Sequence, residues 1–142
     1  MTRTIDAKPL TFGTGSGEIL RLDEPVSFWG GVDHHGVISD RLHPQFGLSV
    51  TGKVLAMTTS RGSSSGSFCL MELMRTDLAP TAIILTQADG VTCTGVLVGT
   101  ETYGIALPVI QVTTGELLSL ESGNHASVTS EPHKAQINIS NP

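Results

Sequence analysis

Apolar positions along this chain cluster into short runs separated by abrupt polar breaks. Val54-Leu55-Ala56-Met57 is an unbroken apolar run within a predicted strand over residues 48–58. Such a run suits a parallel strand buried on both faces. Thr81-Ala82-Ile83-Ile84-Leu85 repeats the pattern. Between them, residues 68–78 read as a helix: Phe68, Met71 and Met74/Arg75 fall at helical spacing, and Leu70, Leu73 and Leu78 widen the apolar face. Pro80 closes this segment and pushes Ala79 out of helical geometry. Strand, helix and strand form one right-handed βαβ unit.

The rest of the pattern is weaker. Residues 1–12 read as an initial strand or arm, and Ile19-Leu20-Arg21-Leu22 as a short strand stopped by Asp23-Glu24-Pro25. Residues 25–47, rich in Gly, His, Asp and Pro, form a long functional loop with a short strand at Val37-Ile38. Further short strands are predicted at 91–93, 96–98, 105–109 and 117–120, with turns at Asp89-Gly90 and Gly115-Glu116. From Ser122 onward the residues are polar and poorly periodic, which predicts a mobile tail. The expected architecture is α/β and β-rich: one central βαβ unit whose parallel sheet packs on a second, mostly antiparallel sheet. A single domain over residues 1–142 is expected, with its core at about 15–121 and a polar tail at 122–142.

Composition narrows the class. Only 15% of residues are charged against 39% hydrophobic, a low charge load for a free-standing monomer, so part of the surface is expected to be covered by a partner. Net charge is −5 and the eight Lys and Arg are scattered, which argues against nucleic acid. No apolar run reaches membrane-spanning length, and Met1-Thr2-Arg3-Thr4-Ile5-Asp6 lacks a signal-peptide core, so the cytoplasm is the expected compartment. The two cysteines, Cys69 on the apolar side of the helix and Cys93 on a predicted strand, have no metal-ligand spacing and read as packing residues.

The chemistry concentrates in Ser60-Arg61-Gly62-Ser63-Ser64-Ser65-Gly66-Ser67, between the strand and the helix. A helix N-terminus aims backbone N–H groups and the positive dipole end at one place, which attracts an anion. Glycines allow close approach of backbone, and serine hydroxyls can bind or, if activated, take a proton. One serine suffices for a helix cap, whereas this loop has four between Ser63 and Ser67. Arg61 could add positive charge or simply be solvated. A second unusual stretch is Ser27-Phe28-Trp29-Gly30-Gly31-Val32-Asp33-His34-His35-Gly36. Adjacent histidines on an extended chain point to opposite faces, so His34 and His35 read as surface or substrate-facing side chains rather than metal ligands. Asp40, Arg41 and His43 read as a solvated loop, and no metal site is expected.

Together the two stretches resemble the swivelling small domain of the aconitase X family. The residues that carry the resemblance are Ser27, Trp29-Gly30-Gly31-Val32-Asp33, Gly36-Val37-Ile38, His43-Pro44, Gly47, the run from Arg61 through Ser67, and Ala79-Pro80, across about residues 15–121. The resemblance implies a swivelling β/β/α fold and a separate large subunit that carries an iron–sulfur cluster, with none bound by this chain alone. It also implies a dehydratase acting on a small hydroxy acid. Bacterial-type members dehydrate cis-3-hydroxy-L-proline to Δ1-pyrroline-2-carboxylate, and archaeal-type members dehydrate mevalonate 5-phosphate. In the wider superfamily the corresponding loop reads Gly-x-Gly-Ser-Ser-Arg-Glu and its first serine is the base. By that match Ser63 is the catalytic base, with Gly62, Ser64, Ser65, Arg61 and His34 as substrate contacts. Ser65-Gly66 replaces the Arg-Glu of that loop, so a carboxylate-binding arginine is absent there, which fits a substrate with fewer carboxylates than citrate. The hydroxyproline reading is favoured over phosphomevalonate, and a module that binds an anion without chemistry is the third expectation.

Overall fold

A computed structural model of the chain describes residues 2–141, so Met1 and Pro142, the ends of the predicted arm and tail, lie outside the described residues. In chain order the elements are β1 (Thr2–Thr11), β2 (Gly13–Arg21), β3 (Val54–Ala56), α1 (Ser65–Arg75), β4 (Ala82–Leu85), α2 (Gly90–Tyr103), β5 (Val109–Gln111), α3 (Thr114–Leu118), β6 (His125–Glu131) and β7 (Lys134–Ser140). Among the described residues the strands close into one barrel in the order β1-β5-β4-β3-β2-β6-β7.

Two long strands make the closure possible. β1 pairs with β7 along Thr2 to Ala7, then with β5 along Lys8 to Thr11, with a register shift between Pro9 and Thr11. β2 pairs antiparallel with β6 along Gly13 to Glu18, then parallel with β3 along Ile19 to Arg21. The β2-β3-β4-β5 arc is parallel and the remaining pairings are antiparallel. The expected parallel and antiparallel parts are both present. They are arcs of one closed sheet sharing β1 and β2, not two sheets packed face to face, and closure leaves the barrel no open edge.

Side chains alternate across this sheet. Val54, Ala56, Ala82, Ile84 and Ile110 point into the barrel with Ile5, Ile19, Val128, Ile137 and Ile139. Leu55, Ile83, Leu85 and Val109 point outward, where α1 and α2 and the residue 22–50 loop cover them through Leu70, Leu73, Val96, Phe28 and Ile38. The apolar run at 54–57 is thus buried on both faces as expected, although the strand itself is confined to Val54–Ala56 within the predicted 48–58. The helix begins at Ser65, three residues earlier than predicted, and ends at Arg75. Val37 and Ile38 make isolated bridges to Ser49 and Val32.

Four expectations are corrected. Residues 91–93 and 96–98 lie in one helix, α2, despite their β-branched side chains. Asp89 is its N-cap rather than part of a turn, and on the face toward α1 the helix presents Gly95 and Gly99. A Cβ on Gly95 would fall 2.8 Å from the Ser67 carbonyl oxygen, and one on Gly99 2.8 Å from the Met74 sulfur. The two helices therefore touch backbone to backbone at Gly95 and backbone to side chain at Gly99, and this packing outweighs a local strand preference worth only about 1 kcal/mol. Residues 117–120 fall at α3, where Thr113 and Glu116 form a reciprocal capping box and Leu117 and Leu120 enter the barrel core. Finally, the polar stretch after Ser122 is no tail. β6 and β7 form a hairpin with Ala126, Val128, Ala135, Ile137 and Ile139 facing inward, so the core extends well past residue 121. The strand predicted at 105–109 is displaced to Val109–Gln111.

Candidate active site

The Ser/Gly loop sits at the carboxyl edge of the parallel arc, where open α/β sheets place their ligands. Backbone bonds hold the departing chains together there. The Met57 N–H donates to the Ile84 carbonyl at 3.0 Å, and the Thr86 and Gln87 N–H groups both donate to the Thr58 carbonyl at 3.1 Å. The two chains then diverge into α1 and α2, whose first turns lie side by side. Ser67 is buried at the start of α1 and donates its hydroxyl to the Val91 carbonyl at 2.6 Å.

The loop itself lies over the segment preceding Trp29. The Arg61 N–H donates to the Val26 carbonyl at 3.0 Å. Gly62 adopts φ +102°, and a Cβ there would fall 2.6 Å from Ser27 Oγ. Only glycine satisfies both conditions. Ser27 is in turn held, donating its hydroxyl to the Trp29 carbonyl at 2.7 Å and accepting from the Trp29 N–H at 3.1 Å.

Ser63, Ser64 and Ser65 stand exposed at the head of α1. The carbonyls of Ser63 and Ser64 accept from the N–H groups of Gly66 and Ser67, at 2.9 and 3.1 Å. Ser63 Oγ accepts only a long bond, 3.3 Å, from the Ser65 N–H. Ser64 occupies the cap position in helical conformation (φ −58°, ψ −19°) without a side-chain cap bond, and the first turn holds no acidic residue. Among the described residues the N–H groups of Gly62, Ser63 and Ser64 have no acceptor. Among the described residues the positive end of α1 is thus uncompensated, and the three free donors belong to Ser63 and its two chain neighbours. Such an arrangement holds a carboxylate or lowers the cost of an alkoxide.

The neighbouring helix end is neutralised internally. Asp89 accepts at Oδ1 from the Val91 N–H at 3.0 Å, and at Oδ2 from the Ser60 N–H at 3.0 Å, the Thr92 hydroxyl at 2.7 Å and the Ser60 hydroxyl. Burial pushes this carboxyl up, but the Ser60, Thr92 and Val91 donors outweigh burial and hold it below the usual aspartate value. Sequence reading missed Asp89 and Ser60 as site residues. The signal was an Asp followed by Gly, read as a turn when it equally marks a helix N-cap.

Of the expected contacts, Arg61, Gly62, Ser63, Ser64 and Ser65 share this loop. The Arg61 guanidinium lies 3.9 Å from a Glu24 carboxylate oxygen with both side chains about half exposed (55% and 52%), a weak tie that leaves it free to swing. His34 is placed elsewhere. It lines a cavity of about 120 Å³ with Val32, Asp33, Cys69, Glu72 and Leu73. Cys69 is four residues along α1 from Ser65, roughly 6 Å of helix rise. His34 and His35 do not point apart: they occupy a turn, and their ring centroids are 4.0 Å from each other. The turn is built on Asp33, which accepts from the N–H groups of Val37 (3.1 Å) and His35 (2.9 Å). The Val37 bond leads the effects holding its carboxyl below the usual value. His43, expected in a solvated loop, is buried. Its Nδ1 accepts from the Gln45 N–H at 3.0 Å, leaving Nε2 to donate to the Glu24 carbonyl at 2.8 Å. The chain's own residues do not fit an iron–sulfur cluster, which is held by a group of converging ligands, mostly thiolates: among the described residues no three His, Cys, Asp or Glu side chains group to hold a metal. Cys69 and Cys93 are its two cysteines, and burial pushes both thiols up.

Comparison with known proteins places this geometry. Residues 4–139 match the family model described as the aconitase X swivel domain. The chain is 40% identical over 103 residues to a cis-3-hydroxy-L-proline dehydratase of Pseudomonas aeruginosa, covering 72% of this chain but 18% of that protein. It is 33% identical over 117 residues to the phosphomevalonate dehydratase small subunit of Methanothermobacter thermautotrophicus, covering 82% of this chain and 85% of that one. Among solved structures, the holo-form of Thermococcus kodakaraensis aconitase X superposes with a TM-score of 0.82 at 26% identity, covering 95% of this chain and 98% of that one. A UPF0107 protein solved by solution NMR has the same fold, with a TM-score of 0.79 at 24% identity. With the family model spanning nearly all described residues, this protein belongs to the aconitase X swivel-domain family.

Proposed function

We propose that this chain is the small swivelling subunit of an aconitase X-type hydro-lyase and that Ser63 is its base. The observation that carries the reading is the exposed Ser63 at the uncompensated end of α1, in a run of residues, Gly62, Ser63 and Ser64, whose N–H groups have no acceptor among the described residues. In the proposed reaction Ser63 Oγ, as the alkoxide, takes the proton from the carbon α to the substrate carboxylate. The C–H electron pair forms the new double bond, and the β-hydroxyl leaves, taking a proton from solvent to become water, while Ser63 returns its proton to solvent and the alkoxide is restored. The free N–H groups lower the cost of the alkoxide, and Ser64, Ser65 and Arg61 hold substrate oxygens. His34, on the flank of α1, reaches substrate only if the partner brings it there.

The favoured substrate is cis-3-hydroxy-L-proline, whose initial enamine product tautomerises to Δ1-pyrroline-2-carboxylate. It carries one carboxylate, and the loop offers one cation, Arg61, already facing Glu24. A phosphate dianion is more often met by several cations. The rival, mevalonate 5-phosphate, is supported by the match to a phosphomevalonate dehydratase small subunit over 82% of this chain and 85% of that one. Relatives named small subunits support a large-subunit partner, to which we assign the iron–sulfur cluster that the family resemblance implies. Exposed Trp29 (61%) and Phe68 (71%) near the loop are apolar surface that such a partner would cover.

The test is water loss from each substrate by the anaerobically purified complex of this chain with a large subunit. Turnover of cis-3-hydroxy-L-proline, abolished by Ser63→Ala in a complex that still assembles, is the expected result. Turnover of mevalonate 5-phosphate instead would transfer the assignment. Full activity of Ser63→Ala would remove the serine base, and anion binding without turnover would leave only a binding module.

A further inference from the structure

We propose that Asp89 is a positioning residue that tethers the Ser63 loop to α2; the proposal rests on the reading of Ser63 as the base. One carboxylate oxygen, Oδ2, receives both the N–H and the hydroxyl of Ser60, three residues before Ser63, and also the Thr92 hydroxyl. The other, Oδ1, receives the Val91 N–H and caps α2. One side chain therefore joins two separate tasks, and they fall on different oxygens. An ordinary N-cap needs only the second. Beyond Ser60 the loop has few other anchors: the Arg61 N–H on Val26, and the Gly62 contact with Ser27. Ser63, Ser64 and Ser65 are exposed. Without the bond to Asp89, the segment carrying the base hinges between Thr58 and α1.

Asparagine separates the tasks. It caps helices as well as aspartate does, so Oδ1 keeps the Val91 bond. Its amide nitrogen then replaces Oδ2 and sets N–H donors against the Ser60 N–H. Asp89→Asn is expected to lower the melting temperature at neutral pH by a few degrees, the contribution of the ionised Oδ2, with α2 still capped through Oδ1. It should speed amide hydrogen exchange by about tenfold at Ser60 and, as the test of the tether, at Arg61, the two loop N–H groups that have acceptors. In the active complex it should lower kcat about tenfold or more with little change in KM, because an ångström of misplacement is costly. Thr92→Val removes a different donor from the same oxygen without touching the loop, and should change neither loop exchange nor kcat. Ser60→Ala should reproduce the exchange effect in part, since the Ser60 N–H bond survives.

Exchange at Arg61 unchanged by Asp89→Asn would overturn the tether, as would a Thr92→Val variant that loosens the loop equally. Loosened exchange with kcat unchanged would also overturn the positioning role. The exchange measurement on the full chain needs neither partner nor substrate. A wild-type complex inactive on both substrates would therefore remove the functional reading while exchange still decides the tether.

Discussion

Gly62 and Ser27 are in contact: a single methyl group on the Gly62 α-carbon would lie 2.6 Å from the Ser27 hydroxyl oxygen. The two residues belong to the two loops that carry the family pattern, 35 positions apart in the chain. Their contact sets how closely the Ser63 loop lies on the Trp29 segment. Gly62→Ala meets both the steric conflict and the cost of a side chain at φ +102°. A loss of about 1–3 kcal/mol of stability is expected, read from urea denaturation. Turnover should fall further than that loss accounts for, because Ser63 moves with Gly62. Adding Ser27→Ala should recover part of the stability, since it removes the oxygen but not the backbone strain.

Acid sensitivity should trace to Asp89. Its folded carboxyl titrates below the usual aspartate value, so between the folded and unfolded pKa values the unfolded chain binds more protons, and stability rises with pH there. The contribution is fully present above the unfolded pKa, about pH 4, and is lost as pH falls through the lower folded value. Melting temperatures followed below about pH 4 should drop less steeply in Asp89→Asn than in the wild type. An unchanged acid limb would show that other carboxylates dominate it. Asp33 acts in the same direction, led by its Val37 bond.

Ser130 is buried, 2% exposed on β6, and its hydroxyl has no partner among the described residues. An unsatisfied buried polar group costs about 1–3 kcal/mol. Ser130→Ala should therefore raise stability by about 1 kcal/mol, measured as a shift in the urea midpoint at constant slope. A destabilised variant would mean that the hydroxyl has a partner in solution.

α1 ends in a six-to-one turn, with the Leu78 N–H bonded to the Leu73 carbonyl at 2.8 Å and the Asp77 N–H to the Met74 carbonyl at 3.3 Å. This motif places Asp77 at φ +62°, the position where glycine is usual. Asp77→Gly should stabilise the chain by about 0.5–1 kcal/mol, with the left-handed penalty relieved and part of the gain returned as unfolded-state entropy. Asp77→Val should destabilise it. Equal stability of the three proteins would show that the turn is relaxed around aspartate.

Local information was enough for part of this protein. The unbroken apolar runs at 54–57 and 81–85 specify strands buried on both faces wherever they are placed, and the 3.6-residue spacing after Ser67 specifies a helix between them. The Gly/Ser cluster at their junction marks an anion-receptive helix start for the same reason: N–H groups, dipole and glycine conformations are all contributed by adjacent residues. Other elements were legible but under-read, such as the capping box of Thr113 and Glu116 and the alternation along residues 125–140. Tertiary structure alone decided the rest. Val91, Thr92, Val96 and Val98 favour strand in isolation, and α2 is a helix because Gly95 and Gly99 let α1 pack against it. The barrel closes because β1 and β2 are each long enough to pair with different neighbours at their two ends, a matter of register between segments more than 100 residues apart. Asp89 meets Ser60 across 29 residues of chain. No local pattern encodes such a pairing, because its free energy comes from groups that meet only after the two crossover helices have docked on one sheet.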